Sequence, residues 1–426
     1  MTPTRISVCL IVRDEEAFLP ACLNSVRGVA AEVVVVDTGS IDSTVRIARD
    51  AGCVVIHRAW TDDYAAARNA GIDAAAGDWI LCLDADERLV TPDALAALLA
   101  DVPAEVGGFL VERHDVVAHA STGRTDRYPV GIVRLFRRHP GIRYVGAVHE
   151  RPGDTILAAG FSIARAPHVR IAHLVSGRPD EVLRAKQGRY LRLLERETAR
   201  DPGDFWAAYY RAKTLWYLGR HADAEAGFLA IADAVRCAAP MRASALAMLG
   251  ALCNELGRHA EGLSYLDWSL KVFPLQSLAA YLRGEILYAA GDYARAAEAY
   301  AGVGSALDGG EPREWLPGDL YLAAEKRAYK LGCCALAAGD LSAALAHFRA
   351  GLEADGEDAA CWLGCAHVAA ASGDRPLARA LAEGAAERDP GWRLPGALLS
   401  ALEDGPVEVA GGRSDGGLVG GSEASR

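Results

Sequence analysis

A chain of 426 residues with 45 Lys+Arg, 56 Asp+Glu and a net charge of −11 has room for two or three domains with full cores. Its 51% hydrophobic and 24% charged residues are the mix of a chain that folds in water. The acidic balance excludes a nucleic-acid backbone binder, which needs a basic stripe, and no apolar run approaches the ~18 residues of a membrane span.

In chain order, Ile6–Val12 is a continuous apolar run and reads as a buried strand. A helical segment follows, with Phe18, Leu19, Leu23 and Val26 on one face. Val33–Val36 is a second strand, ended by Asp37-Thr38-Gly39-Ser40. A capped helix from Asp42 to Ala51 precedes a strand at Val54–Ile56, then a helix around Ala65–Ala75 and a buried strand, Trp79–Leu83. Continuous apolar strands separated by helices predict a mostly parallel sheet covered on both faces. Three shorter runs, Phe109–Val111, Arg134–Phe136 and Val169–Ile171, are less regular and predict an edge or a second small sheet. The start of the chain shows no secretory cleavage pattern. Ten cysteines without CxxC pairs, mostly in apolar runs such as those around Cys9, Cys53 and Cys82, read as reduced core thiols of a cytoplasmic protein. Cys361 and Cys365 share a helix face but have no partners at zinc spacing.

From about residue 178 the pattern turns to helices rich in Ala, Leu and Arg. A small residue, a Gly seven later, a small residue five further and usually a bulky one four beyond recur as a set. The sets are Ala212/Gly219/Ala224/Phe228, Gly250/Gly257/Gly262/Leu266, Gly284/Gly291/Ala296/Tyr300, Gly332/Gly339/Ala344/Phe348 and the weaker Ala366/Gly373/Ala378/Ala382. The turn glycines are 38, 34, 48 and 34 residues apart, the period of stacked helix–turn–helix units. The long step holds a Gly/Pro/acidic insert, Ser305–Gly318, read as a loop, and Glu403–Arg426 is Gly/Ser-rich and predicts a disordered tail.

Ligands of an open parallel sheet bind at the carboxyl ends of its strands. After the first strand stands Arg13-Asp14-Glu15-Glu16, where a dinucleotide fold would need a glycine-rich turn; acids there repel a pyrophosphate. Asp37 follows the second strand, and Asp84-Ala85-Asp86-Glu87 follows Trp79–Leu83. In an extended segment Asp84 and Asp86 point the same way, and a hard divalent cation that borrows oxygens from a diphosphate relieves their repulsion. Such a cation would stabilise the diphosphate as a leaving group. Asp37 and Glu15 can accept hydrogen bonds from a base or a ribose.

At this point the stretch Val8–Leu89 resembles the nucleotide-sugar-binding half of a family 2 glycosyltransferase of the GT-A fold. The matching pieces are Val12-Arg13-Asp14-Glu15-Glu16, Val36-Asp37-Thr38-Gly39-Ser40-Ile41-Asp42-Ser43-Thr44, Ala67-Arg68-Asn69 and Leu83-Asp84-Ala85-Asp86-Glu87. Arg134-Leu135-Phe136-Arg137 and Val148-His149-Glu150 are similar to segments of members that carry tetratricopeptide repeats, which the helical periods also resemble. One departure is Asp14, where the family usually has Asn. The expected architecture is an α/β GT-A-like domain over residues 1–177, with its nucleotide-sugar part in 1–100, an all-α tetratricopeptide-repeat solenoid over 178–402, and a tail from 403.

The resemblance implies a metal-dependent transferase that moves a sugar from a nucleotide-sugar donor, UDP-linked by expectation, to an acceptor, with inversion. Mg²⁺ or Mn²⁺ is the implied cofactor. Arg13, Glu15, Asp37, Arg68 and Asp84 would hold the nucleotide-sugar, with Asp86 and His149 on the metal. Glu150 is the candidate catalytic base, because inversion needs a carboxylate beside the nucleophile. His173 is a second candidate for either late role. Structural alternatives stand beside these: Asp37 and Asp42 as helix caps, Arg68 paired with Asp62 or Asp63, Glu87 as a salt bridge, Glu16 as a solvated helix residue. His57, His114 and His119 have no partner pattern. The repeats predict a peptide or protein acceptor or partner, and the cluster Phe205, Trp206, Tyr209, Tyr210, Trp216 and Tyr217 reads as their seam with the catalytic domain. The alternative is a scaffold whose sugar-nucleotide domain is catalytically idle.

Overall fold

The structure is a computed structural model that describes residues 4–118, 125–174, 180–274, 276–304 and 324–388. Its first part alternates β1 (Ile6–Val12), α1 (Leu19–Ser25), β2 (Ala30–Asp37), α2 (Thr44–Asp50), β3 (Val54–His57), α3 (Tyr64–Ala74), β4 (Trp79–Leu83), β5 (Glu87–Leu89) and α4 (Pro92–Leu98). Then come β6 (Val106–Ala118), β7 (Thr125–Arg137), α5 (Gly153–Ala158) and β8 (Ser162–Leu174). All eight strands form one sheet in the order β3-β2-β1-β4-β7-β6-β8-β5.

Strand alternation divides the core between two faces. Val8, Leu10 and Val12 pack with Leu81 and Leu83 on one side, where α1 adds Leu19 and Cys22. Cys9 packs with Ile80, Cys82 and Phe136 on the other, under Ile72 of α3. Each such fully buried aliphatic stabilises the fold by roughly 1.5–3 kcal/mol. The parallel register sets Val12 opposite Asp37 and Leu10 opposite Leu83, so β1, β2 and β4 end at one level. The loops that follow them share one rim.

The expectation of an edge or second sheet for the later runs is corrected. Those runs are short pieces of three 13-residue strands, and β7 joins antiparallel to β4, with Ile80 opposite Phe136. Their other halves read as loop because they carry Arg113, His114 and Asp115. Those charges are there because the strands run past the rim into a polar site.

After β8 the chain forms α6 (Asp180–Arg200), α7 (Phe205–Tyr217), α8 (His221–Asp233), α9 (Ala239–Glu255), α10 (His259–Val272), α11 (Ser277–Ala289), α12 (Tyr293–Ala301), α13 (Ala324–Ala337), α14 (Leu341–Ala354), α15 (Ala359–Ala371) and α16 (Arg375–Arg388). From α7 onward they pair as the glycine period requires. The turn glycines 219, 257, 291, 339 and 373 all have φ between 73° and 83°, the left-handed conformation that ends a helix with a glycine. The small residues mark helix crossings: a Cβ on Gly332 would overlap the Phe348 ring. Gly332→Ala is therefore expected to destabilise the array by about 1–3 kcal/mol, measured by urea unfolding, because overpacking a filled crossing forces the ring or the helix to move. The insert Ser305–Gly318, the 177/178 boundary, His119 and the tail lie outside the described residues.

The helical part meets the sheet domain through α6 and α7, where Leu193, Leu194 and Ala207 bury against Val148. The expected aromatic seam divides: Trp206 and Tyr210 reach this junction, whereas Tyr209 and Phe205 belong to the first repeat's own core. Among the described residues no helix is long and apolar enough to cross a membrane.

Candidate active site

The loops after β1 and β2 are laced together. Ser40 Oγ accepts the Asp14 N–H (3.0 Å) while Asp14 accepts the Ile41 N–H (2.8 Å). Thr44 Oγ1 accepts the Glu15 N–H (2.7 Å), and Glu16 accepts the Ser43 N–H (3.0 Å). Asp14 has a positive φ of 55°, and its short acceptor side chain serves that turn. Glu16 is thus a loop strut rather than a residue in a helix's first turn. Asp42 accepts from Thr44 (2.9 Å) and Glu16 (3.1 Å), which ties the start of α2 to the first loop. Arg13 is exposed beside Asp14 on this rim.

Asp37 closes β2 with its carboxylate 4% exposed. It accepts the Ser40 N–H (2.9 Å) and faces His57 Nδ1 at 3.1 Å. Burial opposes its charge, but these hydrogen bonds outweigh burial and hold the carboxyl below its ordinary range. The partnerless reading of His57 is corrected: the β2–β3 register sets it directly opposite Asp37.

After β4 the chain turns at once, with the Glu87 N–H donating to the Asp84 carbonyl (3.0 Å), so Asp84 and Asp86 sit in a turn and not in an extended run. Asp84 accepts from Arg68 Nη2 (2.8 Å) and Arg134 Nη2 (2.7 Å). Arg134 also reaches Glu87 (3.1 Å), which is fully buried and accepts the Asp84 N–H (2.9 Å); Glu87 is a salt-bridge residue. Burial disfavours the Asp84 charge, yet Arg134 and Arg68 hold its carboxyl well below the usual range. Arg68, 5% exposed on α3, donates its Nε–H to Glu150 (2.6 Å). Pairing with Asp62 or Asp63 is corrected: Asp62 meets Arg196 and Trp60, and Asp63 caps α3 through the Ala66 N–H. Arg68 Nη1 and Arg134 Nε are buried and donate to no described atom. Buried donors left open in a paired cluster are costly in an empty site and useful to a bound oxyanion.

Asp86 stands 3.8 Å from His173 Nε2, and His173 Nδ1 bonds Asp115 (2.8 Å). Asp115 in turn pairs with Arg113, which approaches Glu87 at 3.6 Å. Burial pulls the His173 pKa down, but Asp115 and Asp86 raise it to about 9. A raised histidine pKa contributes stability that is complete below about 6.5 and is lost as pH climbs through 9. In chelator-treated protein, His173→Asn is expected to remove a decline on the order of 3 kcal/mol between those limits, read by urea unfolding at a series of pH values. Equal slopes in both proteins would break the His173 assignment.

The His149-Glu150 segment is held from two sides. Asn69 of α3 bonds both the N–H and the carbonyl of Tyr144 (2.9 and 3.0 Å), and Arg68 holds Glu150. From the repeats, Glu197 accepts the Ala147 N–H (2.6 Å) and Trp206 donates to the His149 carbonyl (3.0 Å). His149 has a positive φ of 52°, uncommon for a residue other than glycine, and its ring stacks on Tyr210 at 3.9 Å. Burial lowers its pKa to about 3, helped by Lys213, Lys186 and Arg113.

The site residues named from sequence thus fall on one rim. Asp37, Glu15 and Arg13 lie at the β1–β2 end, Arg68, Asp84 and Glu150 form one ion cluster, Asp86 lies beside His173, and His149 lies against the repeats. Sequence reading missed Arg134, Arg113 and Asp115. Among the described residues the one trio of acid and thiol groups close enough to share an ion, Glu225, Cys253 and Glu261, is in the repeats, and Arg258 bridges both its carboxylates.

Residues 7–147 match the Glycosyl transferase family 2 profile, and residues 255–307 and 335–402 match tetratricopeptide repeat profiles. A TPR repeat-containing protein of Synechococcus elongatus is 38% identical over 52% of this chain and 54% of its own. An uncharacterized glycosyltransferase of Rickettsia typhi is 39% identical over 20% of this chain and 29% of its own. The chain therefore spans about half the length of the first relative and under a third of the second. A solved glucosyl-3-phosphoglycerate synthase from Mycobacterium tuberculosis, in complex with Mn²⁺, uridine diphosphate and phosphoglyceric acid, overlays with a TM-score of 0.32 at 20% identity, over 45% of this chain and 78% of that one. Residues 7–147 thus carry a family 2 glycosyltransferase domain, within a sheet of GT-A-like build, and the helix pairs that follow in the chain are tetratricopeptide repeats.

Proposed function

We propose that the protein is a metal-dependent glycosyltransferase that moves a sugar from a nucleotide-sugar, UDP-linked in the simplest reading, to an acceptor with inversion. The observation that carries this is the acid set at the ends of β2 and β4, with Asp86 facing a histidine whose other nitrogen is held by Asp115. A histidine bonded through Nδ1 to a carboxylate presents Nε2 in the way a metal-binding histidine does, and His173, its pKa raised to about 9 by Asp115 and Asp86, would give up its Nε2 proton to the solvent on binding the cation. One carboxylate and one imidazole, completed by diphosphate oxygens and water, suit Mn²⁺ or Mg²⁺, so the residues fit the cation. Asp86 and His173 would hold it, and His149, neutral at physiological pH, is in the protonation state for ligation or for donating to the diphosphate. The cation would supply positive charge against the leaving diphosphate.

The chain's own residues do the rest. Asp37 and Glu15 accept from the base or ribose, with Arg13 at the same rim. Asp84, fixed by two arginines, presents a rigid carboxylate to the ribose. Arg68 and Arg134 keep open N–H donors for diphosphate or sugar oxygens. Glu150, fixed by Arg68 on one oxygen, takes the acceptor's proton with the other. The repeats would hold a peptide or protein acceptor or partner. Incubating the protein and Mn²⁺ with UDP-, GDP- and dTDP-hexoses should release nucleoside diphosphate from one of them, with water as the slow acceptor. No release from any donor, with or without cell-derived peptides, would contradict the transferase reading.

A further inference from the structure

The first two repeat helices turn a matched pair of faces toward His149. On α7, Trp206, Tyr210 and Lys213 are spaced four and three apart and share one face. Trp206 bonds the His149 carbonyl and Tyr210 stacks on its ring. On α6, Lys186 and Tyr190 are four apart on one face; the Tyr190 ring meets His149 edge-on at 5.4 Å, and the Lys186 ammonium lies 5.5 Å from the centre of that ring. Tyr64 of α3 closes the same wall against Tyr190 at 5.9 Å. Neither Lys186 nor Lys213 has an ion-pair partner among the described residues. The nearby acids are committed elsewhere: Glu150 and Asp84 to Arg68, Asp115 to Arg113 and His173. Both lysines are half-buried on these faces, where an ammonium with no counterion is stabilised by a visiting anion.

We propose that Lys213 and Lys186, with the His149 ring between Tyr190 and Tyr210, form an oxyanion pocket of the phosphate class that the repeats contribute to the transferase site. The repeats then do more than carry a partner, because their first two helices supply the pocket's charge. The source of the oxyanion is the donor's diphosphate or a phosphorylated group on the acceptor; this assignment of source rests on the transferase reading, but the pocket does not.

The test is calorimetric titration of the full chain, of Lys213→Met and of the charge-keeping Lys213→Arg, with inorganic phosphate, inorganic pyrophosphate and UDP in Mn²⁺. Loss of about tenfold or more in UDP affinity in Lys213→Met, retained in Lys213→Arg, assigns the pocket to the donor diphosphate. Unchanged UDP affinity, with wild-type protein still taking phosphate at saturating UDP and Lys213→Met not doing so, assigns it to the acceptor. Wild-type protein that binds phosphate or pyrophosphate through Lys213 but no nucleotide keeps the pocket and removes the transferase reading. Lys213→Met binding every probe as wild type does, or wild type binding neither inorganic probe, overturns the proposal.

Discussion

Asp86→Asn is expected to lower turnover at least about a hundredfold while leaving the fold intact. Asp86 is a partly exposed side chain beside His173, so losing its charge removes little packing. What it removes is the carboxylate proposed to hold the divalent cation, a charge contribution worth several kcal/mol to a developing diphosphate. The measurement pairs the rate of nucleoside diphosphate release with the melting temperature, which should move by only a few degrees. Near-wild-type turnover would end the case for a cation at Asp86.

Glu150→Gln separates proton removal from donor binding. Glutamine keeps an oxygen for the Arg68 Nε–H and nearly the same volume, so the Arg68–Asp84 pair keeps its place. It cannot take a proton from a nucleophile. The expected result is a fall of about 10²–10⁴ in kcat. The affinity for nucleoside diphosphate should change little, because Asp37 and the loops around it are untouched. An unchanged kcat would reassign the base, with His149 next to be tested. A large loss of nucleotide affinity would show that Glu150 acts through Arg68.

How far the residues alone disclosed this arrangement depends on the reach of each signal. Val33–Val36 and Trp79–Leu83 are apolar at every position because both faces of a central parallel strand are covered, and they fall inside β2 and β4. The turn glycines needed no tertiary information, since a left-handed residue at a helix end is a local demand. The polar halves of β6 and β7 failed that local test: Arg113 and Asp115 are in a strand because the strand crosses a charged site. Arg134 stood out only as part of a resembling segment and not as a site residue, because its partner Asp84 is 50 residues away and no spacing rule joins them. His57 was within reach, since aligning the ends of the second and third strands sets it beside Asp37. The role of α6 and α7 at His149 had only a faint signal, the Lys186/Tyr190 and Trp206/Tyr210/Lys213 spacings, which look like any amphipathic face until the partner surface is known.

The rim of Asp37, Asp84 and Asp86 is proposed to bind a nucleoside diphosphate through a divalent cation. Calorimetric titration of the full chain with UDP and with GDP, each with and without Mn²⁺, tests it most directly. One nucleotide, UDP by expectation, should bind with Mn²⁺ and bind much more weakly once the metal is chelated. Equal binding without metal would contradict the cation's role, and no binding of either nucleotide would contradict the donor site itself.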